Sequence, residues 1–198
     1  IIGEGLHRGP GHDHAEIVAL KNARESVVGA TLYSTLEPCI IQGRTPPCVH
    51  AIVESGIKQV VIGTTDFNPK IYGKGIEFLH QHGISFIHDI LKDTCLKLNE
   101  DFFTYIKDKR PLVNLKVAAT LDGKIADEHG HSKGISNEKS RQYVHTLRKE
   151  ADVLVTGIGT ILADDPRLNI RNQLGVHNKK YRIVILDRHL RTPLTSNV

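Results

Sequence analysis

Residues 35–48 read Thr35-Leu36-Glu37-Pro38-Cys39-Ile40-Ile41-Gln42-Gly43-Arg44-Thr45-Pro46-Pro47-Cys48. The stretch opens as the end of a strand, since residues 30–36 place Leu32 among the β-formers Thr31, Tyr33 and Thr35. It closes as the start of a helix, because Pro46-Pro47 suits a first turn and Gly56 can end the element after Ser55. Between the two lie a pair of cysteines nine positions apart, each near an expected helix start, where the helix dipole favours a thiolate.

The neighbouring segments repeat this alternation. Residues 15–27 space Ile17, Leu20, Ala23 and Val27 as a helix ending near Gly29. Residues 59–63 form a short buried strand, residues 75–82 a helix closed by Gly83, and residues 84–87 another strand. Such alternation implies a mostly parallel sheet with helices on its faces. Residues 91–106 read as one amphipathic helix, and Lys107-Asp108-Lys109-Arg110-Pro111 as an interdomain linker. The expected domains are therefore residues 1–108 and 112–198. In the second, residues 112–119 read as a strand, Leu121-Asp122-Gly123-Lys124 as a turn, and Asn137 as the cap of a helix reaching about residue 150. A buried strand over 153–156, a helix from residue 157 and a strand over 182–186 complete the pattern.

The chemistry converges on His14-Ala15-Glu16, Pro38-Cys39 and Cys48. A catalytic zinc takes three protein ligands and keeps a fourth position open, and one imidazole with two thiolates meets that count. Glu16, two residues from His14, is placed to take a proton from an activated water and pass it to leaving ammonia. This is the logic of the His-x-Glu…Pro-Cys…Cys zinc deaminases, whose glutamate is not a ligand. His7 and His12 are rival ligands, but neither is followed by a suitably placed carboxylate. The competing readings are a zinc deaminase of another pathway, acting on cytidine or on bases in RNA, and a non-catalytic zinc module with its shell closed by His50 or His12. Cys95 reads as a packed core thiol.

Composition narrows the class further. With 39% apolar and 24% charged residues, the 198-residue chain is globular rather than disordered. A net charge of +4 without long basic runs argues against nucleic acid as a partner and suits a small phosphorylated substrate. The larger basic clusters are Asn178-Lys179-Lys180 with Arg182, and residues 107–110. No apolar run is long enough to span a membrane and no signal peptide is recognisable, so a cytoplasmic protein is expected. Three cysteines, two of them in a metal-like arrangement, agree with a reducing compartment. The chain begins at Ile1 and lacks methionine, so a fragment of a longer protein is expected, with residues 1–5 as the tail of a strand.

The segment 35–48, with Gly43-Arg44-Thr45-Pro46-Pro47 between its cysteines, closely resembles the deaminase domain of the bifunctional riboflavin-biosynthesis deaminase–reductases. Asp66-x-Asn68-Pro69 and Gly73-x-Gly75 resemble the same family. So do Leu115-Lys116-x-Ala118-x-Thr120-Leu121-Asp122-Gly123-Lys124 and Gly159-Thr160-x-Leu162-Ala163-Asp164-Asp165-Pro166. The resemblance implies an α/β chain with a cytidine-deaminase-like three-layer domain followed by a partial dihydrofolate-reductase-like domain. It implies hydrolytic removal of the C2 amino group from 2,5-diamino-6-ribosylamino-4(3H)-pyrimidinone 5′-phosphate. In the intact protein, NADPH-dependent reduction of the ribosyl to a ribityl chain would follow.

Matched by position, the implied zinc ligands are His14, Cys39 and Cys48, with Glu16 as catalytic acid and base. Implied nucleotide contacts are Ala118, Gly134, Thr160 and Asp164, and implied phosphosugar contacts are Ser132, Arg148, Leu168 and Arg171. Arg44 is a cation available to the deaminase substrate's phosphate. Lys116, flanked by apolar residues in a strand pattern, is expected to be buried and to need an anionic partner. A homo-oligomer is expected, as is common for such enzymes. Two departures stand out: Ile40-Ile41 where the family usually has Ser-His, and Gly134 where many relatives carry an aromatic residue.

Overall fold

Three parallel strands, β1 (Thr31–Leu36), β2 (Gln59–Thr64) and β3 (Ser85–Ile87), lie side by side in sequence order. Thr31 pairs with Gln59 and Leu36 with Thr64, so the carboxyl ends of β1 and β2 finish level. The computed structural model describes residues 1–172, 175–176 and 181–198. The chain divides into two units, Ile1–Asn114 and Leu115–Val198.

In the first unit, helices α1 (Ala15–Lys21), α2 (Cys48–Glu54) and α3 (Lys74–Gln81) cover one face of the sheet. Successive strand residues point to opposite faces, and Val60 and Ile62 pack with Val49 and Ile52 of α2 and with Leu79 of α3. Ile17 and Leu20 of α1 close the edge of this core, and Ile40 and Ile41 pack against it as well. Gly63 faces the other way, toward Cys95 of α4 (Lys92–Leu98). Helix α5 (Glu100–Asp108) follows and buries Phe103 against Phe67, their rings 4.5 Å apart. The result is helix, sheet and helix in three layers.

Two expected helices are shorter than their apolar spacing suggests. Helix α1 stops at Lys21 because the Ala23 amide turns to the Leu20 carbonyl (3.3 Å) and the Arg24 amide to Ile2 (2.9 Å). The single helix over 91–106 is two, α4 and α5, parted at Asn99 (φ −112°, ψ 23°). The Asn99 amide group reaches back to the Cys95 carbonyl at 2.9 Å, a local bond that competes with helix continuation. Residues 1–5 pair with no strand among the described residues. They lie instead along α1, where a Cβ on Gly3 would sit 2.4 Å from the Ala19 carbonyl.

In the second unit, β4 (Val153–Gly157) and β7 (Arg182–Leu186) form a parallel pair, and β5 (Arg171–Asn172) and β6 (Gly175–Val176) an antiparallel one. Helix α6 (Glu138–Glu150) is capped by Asn137, whose side chain accepts from the Ser140 amide at 2.9 Å. Helix α7 (Ile158–Asp164) buries Ile158 and Ile161 with Leu168, against Leu154 of β4 and Ile185 of β7.

Two expectations for this region are corrected. Residues 112–119 form no strand, because no ladder partner exists for them among the described residues, and Val113, Leu115 and Val117 are exposed. Lys116 is exposed too, so it has no buried charge to neutralise. Strand β4 is not buried either: Val153 and Val155 of one face are open while Leu154 packs inward, the alternation of a strand covered on one side. Lys179 and Lys180 lie outside the described residues. No helix among the described residues is long and apolar enough to cross a membrane.

Candidate metal centre and active site

The site forms where the parallel strands end and the next helices begin, the usual place for a ligand in an open α/β sheet. His14 stands at the N-cap of α1 in extended conformation (φ −70°, ψ 160°), directly before Ala15. Cys39 follows β1 after Glu37 and Pro38. The chain then loops through Pro46 and Pro47 and returns with Cys48 as the first residue of α2. The return is fixed by backbone: the Val49 amide donates to the Cys39 carbonyl at 3.3 Å.

His14 Nδ1 lies 3.4 Å from Cys39 Sγ and 3.3 Å from Cys48 Sγ, and the three ligand atoms are all within 4.8 Å of one another. A tetrahedral zinc, with bonds of about 2.3 Å to sulfur and 2.0 Å to nitrogen, sets its ligand atoms roughly 3.5–3.8 Å apart. The donor set and its spacing therefore fit zinc. No fourth His, Cys, Asp or Glu joins the cluster among the described residues. His50 instead meets the Phe78 ring edge-on at 5.0 Å, and His7 meets the His14 ring in the same manner. A three-ligand site with an open position has the form of a catalytic centre rather than a closed structural one.

The electrostatics agree with a metal-ready pair of thiols. The Cys39 thiol is held well below its ordinary value, first by the side-chain hydrogen bond with Cys48, with the Cys48 amide and His14 adding to the effect. Cys48 is pushed up by the same bond to Cys39 and by burial, because a second bare thiolate beside the first is unfavourable. Glu16, only 9% exposed in the first turn of α1, has its carboxyl raised by burial and by Cys39. Its side chain also interacts with Cys48. A carboxyl raised in this way holds its proton more readily than an exposed one, as proton transfer in both directions would require.

Arg44 is exposed in the loop between the cysteines. Glu37 and Asp66, only 3% exposed each, were not among the candidate residues from sequence, yet both carboxylates sit at the strand ends beside Cys39. The signal was an acid wedged between the last strand residue, Leu36, and the Pro38-Cys39 pair.

In the second unit the candidate residues gather in two places. Ser132 Oγ donates to Asp164 Oδ1 at 3.5 Å. Arg148 donates to the Asn169 carbonyl at 3.1 Å, and the Arg171 amide donates to His145 Nδ1, also at 3.1 Å. Burial lowers Arg148, and Arg171 adds a smaller push in the same direction. Thr160 is exposed in the first half of α7, Ala118 is half-buried, and Gly134 takes a left-handed turn (φ 91°). Leu168 is 7% exposed and belongs to the core beside α7, with φ 44°. No described bond draws Ala118, Gly134 or Lys116 to either group.

A three-layer α/β unit with a His-x-Glu helix start and two cysteines at strand and helix ends defines a zinc deaminase-type domain. Residues 1–64 match the family model "Cytidine and deoxycytidylate deaminase zinc-binding region", and residues 111–198 match "RibD C-terminal domain". Along its whole length the chain is similar to riboflavin biosynthesis proteins of the RibD type. It is 47% identical to the riboflavin biosynthesis protein RibD of Aquifex aeolicus over 100% of this chain and 55% of that protein. It is 44% identical to RibD of Actinobacillus pleuropneumoniae over 98% of this chain and 51% of that one.

Among solved structures, the diaminohydroxyphosphoribosylaminopyrimidine deaminase/5-amino-6-(5-phosphoribosylamino)uracil reductase of Thermotoga maritima superposes with a TM-score of 0.86 at 48% identity. That match covers 96% of this chain and 54% of that one. Acinetobacter baumannii RibD superposes with a TM-score of 0.83 at 42% identity, over 98% and 56%. The chain thus spans about half the length of the curated relatives it matches.

Proposed function

We propose that the first unit is a zinc-dependent hydrolytic deaminase of riboflavin biosynthesis, acting on the C2 amino group of 2,5-diamino-6-ribosylamino-4(3H)-pyrimidinone 5′-phosphate. The observation that carries this reading is the buried Glu16 carboxyl beside the His14, Cys39 and Cys48 cluster. Zinc held by those three residues would supply Lewis-acid activation of water. Glu16 takes the proton that water loses as its oxygen adds to C2. It then delivers a proton to the departing amino nitrogen, so that substrate and water give the C2-oxo product and ammonia. Arg44, exposed between the two cysteines, is the cation proposed to meet the substrate's phosphate.

The second unit is proposed as the N-terminal part of a dihydrofolate-reductase-like domain that uses NADPH in the intact protein. Ala118, Gly134, Thr160 and Asp164 are its proposed nucleotide contacts, and Ser132, Arg148, Leu168 and Arg171 its proposed phosphosugar contacts. Support comes from the Ser132–Asp164 bond and from the Arg148 group. There the Asn169 Oδ1 and the Tyr181 hydroxyl are buried without a hydrogen-bond partner among the described residues. Lys116, exposed, has the weakest support as a substrate contact. A homo-oligomer in the cytoplasm is the accompanying expectation. The test is ammonia release from the diaminopyrimidine ribotide by zinc-loaded protein in the absence of NADPH. Zinc bound without ammonia release would point to a structural metal or a changed substrate instead.

A further inference from the structure

Glu37 stands one residue before Pro38-Cys39 and only 3% of it is exposed. An acid so deep requires partners for both oxygens, and each oxygen has two. Oε2 accepts from the amides of Asp66 (3.2 Å) and Gly73 (3.0 Å). Oε1 accepts from the amides of Gly75 (2.9 Å) and Ile76 (3.4 Å). Asp66 and Gly73 lie in the loop that leaves β2 and Gly75 and Ile76 in the first turn of α3, whereas Glu37 directly follows β1.

The joint is tight on its far side as well. A Cβ on Gly75 would lie 2.2 Å from the Pro38 carbonyl oxygen, so only glycine allows α3 to start that close to the Pro38-Cys39 turn. Phe67 of the same loop is held beneath Phe103, with Lys107 Nζ 3.7 Å above its ring. Asp66 is thereby fixed beside Cys39, close enough for the two groups to feel each other's charge. None of the four bonds to Glu37 involves a metal-ligating atom.

We infer that Glu37 is a positioning residue of the deaminase site, whose carboxylate ties the loop after β2 and the start of α3 to the strand end carrying Cys39 and so sets the wall that substrate meets. The inference rests on the deaminase reading for its functional part, but the joint itself is testable without turnover. Glu37→Gln keeps size and removes one acceptor. Whichever way the amide turns, its NH2 faces two backbone N–H donors.

Hydrogen exchange on the zinc-loaded wild-type protein should show the amides of Asp66, Gly73 and Gly75 protected. Glu37→Gln should lose that protection while Val60 and Ile62 of β2 keep theirs. It should retain zinc, and KM for the diaminopyrimidine ribotide should rise by about tenfold with kcat changed by less than about threefold. Gly75→Ala, which pries the joint apart with Glu37 intact, should give the same split and serves if Glu37→Gln does not fold. Unprotected amides in the wild type would overturn the inference. So would loss of zinc from Glu37→Gln, or a variant that is merely less stable with KM unchanged. A wild-type protein with protected amides but no ammonia release would instead refute the proposed reaction and leave the joint standing.

Discussion

The backbone amide of Cys48 donates to the sulfur of Cys39 at 3.4 Å, across nine residues of sequence that include two consecutive prolines. That bond explains how a long inter-cysteine loop still delivers both sulfurs to one imidazole. The loop need not be short, because its ends are fixed by the Cys48 and Val49 amides closing on Cys39. Serine at either cysteine keeps the loop and removes a soft ligand. Cys39→Ser and Cys48→Ser should each lower zinc affinity by more than about 100-fold, since even the loss of an outer-shell partner lowers affinity by about 10–100-fold. Competition against a chromogenic chelator measures this, and wild-type affinity in either variant would remove that cysteine from the ligand set.

Gly63 is the second place where the site's frame allows no side chain. A Cβ there would lie 2.3 Å from Cys95 Sγ and 2.8 Å from the Thr35 carbonyl. Gly63→Ala should destabilise the protein by about 1–3 kcal/mol through overpacking. Adding Cys95→Ala should recover part of the loss, a coupling that a double-mutant cycle in urea reads directly. Simple additivity would mean that the thiol is not the obstacle.

At the start of α6, Asn137 is a side-chain cap with a measurable contribution. Asn137→Ala should cost about 1 kcal/mol of stability, while Asn137→Asp, which keeps the acceptor, should cost little. Equal loss in both variants would show that the Asn137–Ser140 bond is not the cause.

His145 supplies a pH dependence whose sign is fixed. Its value is lowered from the ordinary 6.5, first by burial and then by the charges of Arg148 and Arg171, against a smaller opposing effect of the Asn169 backbone carbonyl. The folded chain then holds fewer protons than the unfolded one just below pH 6.5, so stability is intact above that pH and declines as pH falls through it. Protonation also removes the acceptor that His145 offers to the Arg171 amide. An NMR titration should place His145 below the ordinary histidine range, and Arg148→Ala should raise it. A midpoint at or above 6.5 would contradict the placement of the two arginines.

Much of the fold was legible because its signals are local. Gly56 and Gly83 end their helices in left-handed turns (φ 76° and 78°), Asn137 caps α6, and residues 182–186 form a strand as their apolar run suggests. What was not legible depends on contacts distant in sequence. The Arg24 amide turns away from α1 to the Ile2 carbonyl, which no spacing of Ile17, Leu20 and Val27 could announce. Residues 112–119 have a strand's pattern but no ladder partner among the described residues. Lys116 consequently lies open rather than buried.

The same division holds at the metal centre. That His14, Cys39 and Cys48 would gather, with Glu16 beside them, was legible because zinc chemistry restricts residue types severely. Ile40 and Ile41 stood out as departures, and their packing against the core gives them an apolar role. Glu37 was invisible as a functional residue, since nothing in Thr35-Leu36-Glu37-Pro38 says that four amides from residues 66–76 converge on it.

The most direct test of the deaminase account is Glu16→Gln, assayed for bound zinc and for ammonia release beside the wild type. The expected result is about one zinc per chain in both proteins, with turnover in the variant reduced by about 10²–10⁴-fold. A variant that keeps its zinc and also keeps its rate would contradict the account, because Glu16 would then move no proton.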